Sequence, residues 1–97
     1  MTRWINGVKP SDVMTGPEKW TQGAFARADG GAEVLLNSNR AVCFCAEGVL
    51  RKTAVAPFLE VIELRWIVRN YIGKWNDDPT RTFEEVREAL LKLEAME

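Results

Sequence analysis

The sequence has 97 residues, a formal net charge of −1, 46% hydrophobic residues and 28% charged residues. These values are typical of one globular domain, and a charge near zero excludes a general attraction to nucleic acid or to an anionic membrane. The chain contains no histidine, which excludes Ser-His and Cys-His nucleophile pairs and most zinc and iron ligand sets. We therefore expect no metal site and no cofactor.

The two cysteines, Cys43 and Cys45, are one residue apart. This spacing differs from the Cys-x-x-Cys pattern of redox and zinc sites, and two thiolates alone cannot complete a tetrahedral metal site. We interpret them as small hydrophobic residues with free thiols, which fits a reducing compartment. No signal peptide opens the sequence, and no apolar run approaches the ~20 residues that span a bilayer. The expected location is the cytoplasm, without a membrane partner.

The N-terminal third predicts an irregular arm followed by a β-hairpin. Glycine and proline recur through residues 1–19 and prevent a long regular element there. Residues 21–28 and 32–36 flank an Asp-Gly-Gly sequence at 29–31, which is a strong turn signal. We therefore expect a hairpin over residues 20–36, with helices covering its apolar face.

Residues 39–52 are predicted to form the first helix, because their apolar side chains recur at three- and four-residue spacing. Gly48 lies within this stripe, where it costs about 1 kcal/mol relative to alanine unless it permits another backbone to approach closely. A buried strand over residues 41–46 is the alternative, because β-branched and aromatic residues alternate there. We favour the helix since the periodic pattern continues through Leu50.

The second predicted helix spans residues 56–72, with Pro57 in its first turn and Gly73 as its C-terminal stop. Its apolar face is wide enough for the central helix of the core or for a helix shared with a second subunit. This face consists of Phe58, Val61, Ile62, Leu64, Ile67, Val68, Tyr71 and Ile72.

A polar loop over residues 74–81 precedes the third predicted helix, which spans residues 83–95. Thr82 and Glu85 match the Thr-x-x-Glu capping box that begins many helices. Together these elements predict an α+β fold, mainly helical, with one β-hairpin and three α-helices in a single domain over residues 1–97.

Three short segments stand in the order Trp-Thr-Gln-Gly-Ala-Phe-Ala-Arg (residues 20–27), Cys-Ala-Glu-Gly-Val-Leu (45–50) and Trp-Asn-Asp (75–77) leading to Arg-Thr-Phe-Glu-Glu-Val (81–86). In this combination the chain resembles a family of short bacterial and bacteriophage proteins described as a domain of unknown function. The resemblance covers about residues 20–90. It implies a related fold and a phage or prophage origin, and it implies no activity.

The polar loop contains the first candidate site, formed by Asn76, Asp77, Asp78 and Arg81. Either aspartate is a candidate general base or cation ligand, and Arg81 is a candidate for holding an anionic group. In the alternative interpretation, Asn76 and Asp77 close turns on their own backbone while Arg81 pairs with Asp78. We favour the turn because it accounts for every residue without a ligand.

The predicted hairpin contains the second candidate site. Trp20 offers a stacking surface, and Gln22 and Arg27 offer polar contacts for a planar or phosphorylated small molecule. The alternative is a tryptophan that covers the core beside a surface arginine, and we favour it because so small a domain needs its tryptophans for burial. A small-molecule site requires both candidate sites to converge on one concavity.

Arg65 and Arg69 lie four residues apart beside Trp66, so a basic patch for nucleic acid is conceivable. The acidic pI near 5.5 argues against it, and nucleic acid is not an expected partner. The other candidate members of this patch are Arg40, Arg51 and Lys52.

Four tryptophans are many for 97 residues, and an exposed Trp4, Trp66 or Trp75 would favour a protein interface, because tryptophan is enriched at interface anchors. Our leading hypothesis is a non-enzymatic interaction protein, phage- or prophage-encoded, that acts on a host protein or forms a homodimer. One alternative is a nucleotide-like small-molecule binder using Gln22, Arg27, Asn76 and Arg81. A second alternative is a histidine-free enzyme built on Asp77 and the neighbouring aspartate Asp78.

Overall fold

Helices form most of the regular structure, accompanied by one small antiparallel sheet, in a computed structural model that describes residues 2–96. The α+β, mainly helical class predicted from the sequence is confirmed. Short 3-10 turns at Ile5–Gly7 and Pro17–Lys19 flank the first helix of the N-terminal arm. In chain order the elements are α1 (Pro10–Val13), β1 (Ala26–Ala28), β2 (Ala41–Phe44), α2 (Ala46–Thr53), α3 (Pro57–Val68), α4 (Ile72–Asn76) and α5 (Phe83–Glu94).

The sheet pairs a different second strand from the one that the sequence predicts. β1 runs antiparallel to β2, with Ala26 opposite Phe44. The predicted strand over residues 32–36 makes only an isolated bridge between Arg27 and Glu33, so the hairpin over 20–36 is wrong in its second strand. Burial explains the difference, because pairing with β2 places the Phe44 ring in the core.

The predicted helix over residues 39–52 begins late, because its first part is the strand β2. The alternative of a strand over 41–46 is therefore correct for Ala41–Phe44. Cys45 is the N-cap of α2, and its Sγ accepts the N–H of Gly48 at 3.2 Å. Its burial raises the pKa of the thiol. The prediction placed the start of the helix too early because Cys45, the N-cap, stands at the same three- and four-residue spacing as the apolar residues of α2.

The predicted helix over residues 56–72 is interrupted after Val68. Arg69 has a left-handed backbone, with φ 57° and ψ 40°, which ends α3. A new short helix, α4, then begins at Ile72, so Gly73 lies inside a helix and the predicted polar loop begins later than expected. The break turns α4 so that Ile72 and Asn76, four residues apart, are both buried.

The hydrophobic core lies between α2, α3 and α5, and the N-terminal arm packs against it. The arm is anchored by the buried Trp4 ring and by Arg3, whose guanidinium donates to both Glu60 carboxylate oxygens at 2.7 and 3.1 Å. Only two α3 residues, Glu60 and Leu64, are buried, so the apolar face that the sequence assigns to this helix is only partly enclosed by the core. The largest fully buried apolar side chains are Met14, Leu50, Leu64, Ile72, Leu90, Leu93, Val49 and Val86.

The last helix, α5, begins at the predicted capping box. Thr82 Oγ1 accepts the Glu85 N–H at 3.2 Å, and Glu85 Oε1 accepts the Thr82 N–H at 2.9 Å. This second bond lowers the pKa of Glu85. The reciprocal pair satisfies two backbone donors that the helix itself leaves free.

Replacing Thr82 with alanine is expected to lower the free energy of unfolding by about 1 kcal/mol, through loss of the N-cap. Urea denaturation followed by circular dichroism measures this change. Thr80→Ala is the control, because Thr80 is exposed and its hydroxyl bonds only to the Asp78 side chain. Equal midpoints for the two variants would contradict the capping role of Thr82.

Candidate functional site

The fully buried side chain of Asn76 joins α4 to the start of α2 and to the segment before β1. Its Oδ1 accepts the Trp20 indole N–H at 2.8 Å and the Ala46 N–H at 3.0 Å. Its Nδ2 donates to the Thr21 carbonyl at 3.1 Å and to Asp77 Oδ1 at 2.9 Å. A carboxamide has two donors and two principal acceptor positions, so this network uses them all.

Two further contacts tie the same segments together. Gln22 Nε2 donates to the carbonyl oxygens of Asn76 at 2.8 Å and Asp78 at 2.9 Å. The Gly23 N–H donates to Asp77 Oδ1 at 2.9 Å. We refer to Trp20, Gln22, Asn76 and Asp77 as the Asn76 cluster.

Arg27, predicted to line a ligand site, is engaged within its own loop. Its guanidinium donates to Thr21 Oγ1 at 3.1 Å, to the Gln22 carbonyl at 3.1 Å and to the Gly31 carbonyl at 3.0 Å. These bonds close the bend that leads into β1. Arg27 therefore borders the Asn76 cluster and stabilises the loop beside it.

Arg81 lies at the other end of the polar loop and does not pair with Asp78 as the turn interpretation expects. Its Nε donates to the Trp75 carbonyl at 2.9 Å, its guanidinium carbon lies 4.2 Å from the Trp75 ring centroid, and Nη1 is 3.4 Å from a Glu85 carboxylate oxygen. The Arg81 guanidinium therefore contacts the Trp75 ring and Glu85, one helical turn away, and not the Asp78 carboxylate.

Asp78, which the turn interpretation pairs with Arg81, instead closes a turn with Thr80. Its Oδ1 accepts both the backbone N–H and the hydroxyl of Thr80 at 2.8 Å. These two donors lower the pKa of Asp78, which makes its carboxylate a weaker base. Asn76, in contrast, does not close a local turn, because its side-chain oxygen accepts only from distant segments of the chain.

The structure thus brings most of the predicted site residues together, and their polar groups bind one another. Among residues 2–96, every buried side-chain nitrogen and oxygen has a hydrogen-bond partner. In the same described range, no group of three or more Asp, Glu or Cys side chains is arranged to hold a metal ion. The arrangement stabilises the fold by joining the three segments at 20–27, 45–50 and 75–86.

A second surface of different character lies on the outward side of α3. Phe58, Leu59 and Trp66 there are 74%, 60% and 72% exposed, and Tyr71 in the following turn is 66% exposed. We call this surface, together with the partly exposed Ile62, the α3 face. Scattered exposed apolar residues are ordinary in folded proteins, whereas here several large ones lie together on one helix.

The C-terminal half of the α3 face forms an open groove with a volume of about 590 Å³, which we call the α3 groove. The Arg65 guanidinium carbon lies 4.4 Å from the Tyr71 ring centroid. Within residues 2–96, no side-chain hydrogen bond or ion pair involves Arg65 or Arg69. The groove is lined by Ile62, Arg65, Trp66, Arg69, Asn70 and Tyr71.

The sequence anticipated this surface only in part, because the wide apolar face of the second predicted helix suited either the core or a second subunit. The usable signal was that apolar residues surround α3 on every side. Such a helix is enclosed by its own chain or covered by another molecule.

A model of the family of unknown function DUF6197 matches residues 11–95. The chain belongs to this family. No curated protein and no solved structure matches the chain. Membership of DUF6197 confirms the resemblance to a domain of unknown function, and the matched region contains both the Asn76 cluster and the α3 face. In this DUF6197 chain, no helix within residues 2–96 combines the length and the apolar character needed to cross a membrane.

Proposed function

We propose that this DUF6197 chain is a non-enzymatic binding protein whose α3 face contacts a partner protein. The observation that carries the proposal is the exposure of Phe58, Leu59 and Trp66 on one helix. Fully burying each such side chain contributes about 1.5–3 kcal/mol. Because these side chains are not buried within the monomer, this free energy is released only when a partner covers them.

The spacing of these residues suits a protein contact. Phe58, Ile62 and Trp66 are four residues apart, so their side chains form one ridge about 12 Å long on the helix. A partner groove or a second helix accommodates such a ridge by interdigitating its own apolar side chains. The exposed indole of Trp66 is the kind of anchor that dominates binding energy at protein interfaces.

The other two functions considered from the sequence receive less support. A nucleotide-like ligand at Gln22, Arg27 and Asn76 would have to displace hydrogen bonds that these residues already make within the chain. An enzyme built on the Asp77 and Asp78 carboxylates would depend on groups that already accept backbone N–H donors, from Gly23 and Thr80. Neither argument applies to the α3 face, whose apolar groups have no partner to lose.

The resemblance to bacterial and bacteriophage proteins extends the proposal to the origin of the partner. We propose a phage- or prophage-encoded chain whose partner is a protein of the host cell. A small domain of this kind acts by covering a surface of the host protein, which requires no catalytic group. The α3 face supplies the apolar area that such occupation needs.

Photo-crosslinking in bacterial cells tests the proposal. A benzophenone amino acid at position 59, which is exposed beside the intact Phe58 and Trp66 rings, is expected to yield a discrete adduct with one protein. The same probe at Leu35, which is 76% exposed outside the α3 face, is the control. Combining the probe at 59 with Phe58→Ala and Trp66→Ala should abolish the adduct. Equal labelling from positions 59 and 35 would contradict the proposal.

A further inference from the structure

We infer that the α3 face binds an acidic amphipathic helix of the partner protein, with apolar residues against Phe58, Ile62 and Trp66 and carboxylates at Arg65 and Arg69. This inference rests on the proposed function and specifies the chemistry of the partner. It follows from the charges of the α3 groove, the composition of the ridge beside it, and the backbone at its end.

Arg65 and Arg69, the arginines of the α3 groove, differ from three other arginines of the chain. Elsewhere, Arg3, Arg51 and Arg81 each pair with a glutamate of the same chain. Arg65 and Arg69 form no such pair within residues 2–96 and line the groove together. Since they lie one helical turn apart, they match two carboxylates spaced one turn apart on a facing helix.

Aromatic rings beside these arginines prepare the groove for a ligand that is partly apolar. The Arg65 guanidinium stacks on the Tyr71 ring, which restricts its orientation. Trp66 and Ile62 supply an apolar surface in the same groove. A partner helix with an apolar side chain between its carboxylates satisfies both parts of the groove.

The remainder of the ridge distinguishes a protein from a nucleic acid. Towards the start of α3 the exposed residues are Phe58 and Leu59, and the exposed Glu63 follows them. A nucleic-acid strand needs positive charge along its whole track. Here positive charge is confined to one end, and the rest of the ridge is apolar or acidic.

A second copy of the chain is a weaker match for the same surface. Antiparallel pairing of two α3 helices about Ile62, the middle of the ridge, places Trp66 of each copy opposite Phe58. The same register places Arg65 opposite Leu59 and so leaves its charge without a carboxylate. A partner that carries its own acidic residues provides what the second copy lacks.

The backbone of Arg69 allows its side chain to be removed without disturbing the helix end. Its left-handed conformation, with φ 57°, is one that glycine adopts more readily than arginine. Arg69→Gly therefore deletes the guanidinium while retaining a favoured C-terminal residue for α3. This property makes it the appropriate variant for separating binding from folding.

Selection from a displayed library of random 16-residue peptides on the purified full chain tests the inference. Peptides enriched on the wild type over a Phe58→Ala, Trp66→Ala variant are expected to carry apolar residues at helical spacing and two acidic residues one turn apart. A fluorescent copy of the best peptide should bind an Arg65→Gln, Arg69→Gly variant about tenfold more weakly, as two exposed charge pairs allow. Arg40→Gln, at an exposed arginine outside the groove, is the matched control and should leave the affinity unchanged.

Neutral or basic peptides that still require Phe58 and Trp66 would overturn the acidic partner and leave the proposed function intact. Absence of any enrichment that depends on these two residues would also overturn the inference, while the crosslink from position 59 independently decides the proposed function. Sedimentation that shows dimers abolished by Trp66→Ala would assign the face to a second copy. Binding of a uridine oligonucleotide, lost with Arg65→Gln and Arg69→Gly, would assign it to nucleic acid.

Discussion

Replacing Asn76 with alanine is expected to lower the free energy of unfolding by about 4 kcal/mol, a loss seen for few single substitutions. The substitution leaves three groups without partners: the Trp20 indole N–H, the Ala46 N–H and the Thr21 carbonyl. Each buried polar group that loses its partner costs about 1–3 kcal/mol. The cavity left by the shortened side chain adds to this cost.

Urea denaturation of the full chain measures the effect, with Asn39→Ala as the matched control at an exposed asparagine. The control should change stability by less than about 0.5 kcal/mol. If Asn76→Ala unfolds at the same urea concentration as Asn39→Ala, the carboxamide does not join the segments as described.

Asn76→Asp tests the same network through its charge. The carboxylate retains an acceptor for Trp20 and Ala46 but loses the donor to Thr21, and it places a negative charge beside Asp77. Burial and the neighbouring carboxylate raise the pKa of such a group above its value in the unfolded chain. The folded state then binds more protons than the unfolded state. This variant should therefore regain stability as the pH falls from the folded pKa of the introduced carboxyl group towards its lower pKa in the unfolded chain. A pH-independent difference from the wild type would contradict this placement.

The sequence predicted best what depends on neighbouring residues. The Thr82 and Glu85 capping box formed as expected, because both partners lie within one helical turn. Three of the four partners of the Asn76 carboxamide lie 30 to 56 residues away, and no local pattern identifies them. A polar residue in a loop therefore resembled a surface turn, although it is among the most completely buried side chains of the fold.

The choice of strand partner and the orientation of α3 were also decided by tertiary contacts. Residues 32–36 and Ala41–Phe44 are both plausible second strands, and only the burial of Phe44 favours the latter. For α3, periodicity identifies the apolar residues but not the side that the rest of the chain covers. The predicted site residues therefore belong mostly to the Asn76 cluster, which holds the fold together, whereas on α3 the sequence offered only a basic patch at Arg65 and Arg69 and did not identify which apolar residues are exposed.

Gly48 lies on the buried side of α2, and its substitution tests how closely α2 packs against the segment before β1. Alanine normally stabilises a helix relative to glycine by about 1 kcal/mol. Here a Cβ atom would overlap the carbonyl oxygen of Phe25. That oxygen is held in place because it accepts the Cys45 N–H at 3.3 Å. The backbone on both sides is therefore constrained, and the overlap cannot be relieved by a change of rotamer.

Gly48→Ala is thus expected to lower the free energy of unfolding by about 3 kcal/mol, the upper part of the range for overpacked sites. Gly73→Ala is the matched control, because Gly73 also lies in a helix and its added Cβ meets no atom within 4 Å. That substitution should raise stability by up to about 1 kcal/mol. Opposite signs for the two changes, measured by urea denaturation, would show that close approach to the Phe25 backbone determines the residue at position 48. If both substitutions stabilise the chain, α2 does not lie against the Phe25 backbone. The hydrogen bond from the Ala46 N–H, at the start of α2, to Asn76 would then be incorrect as well.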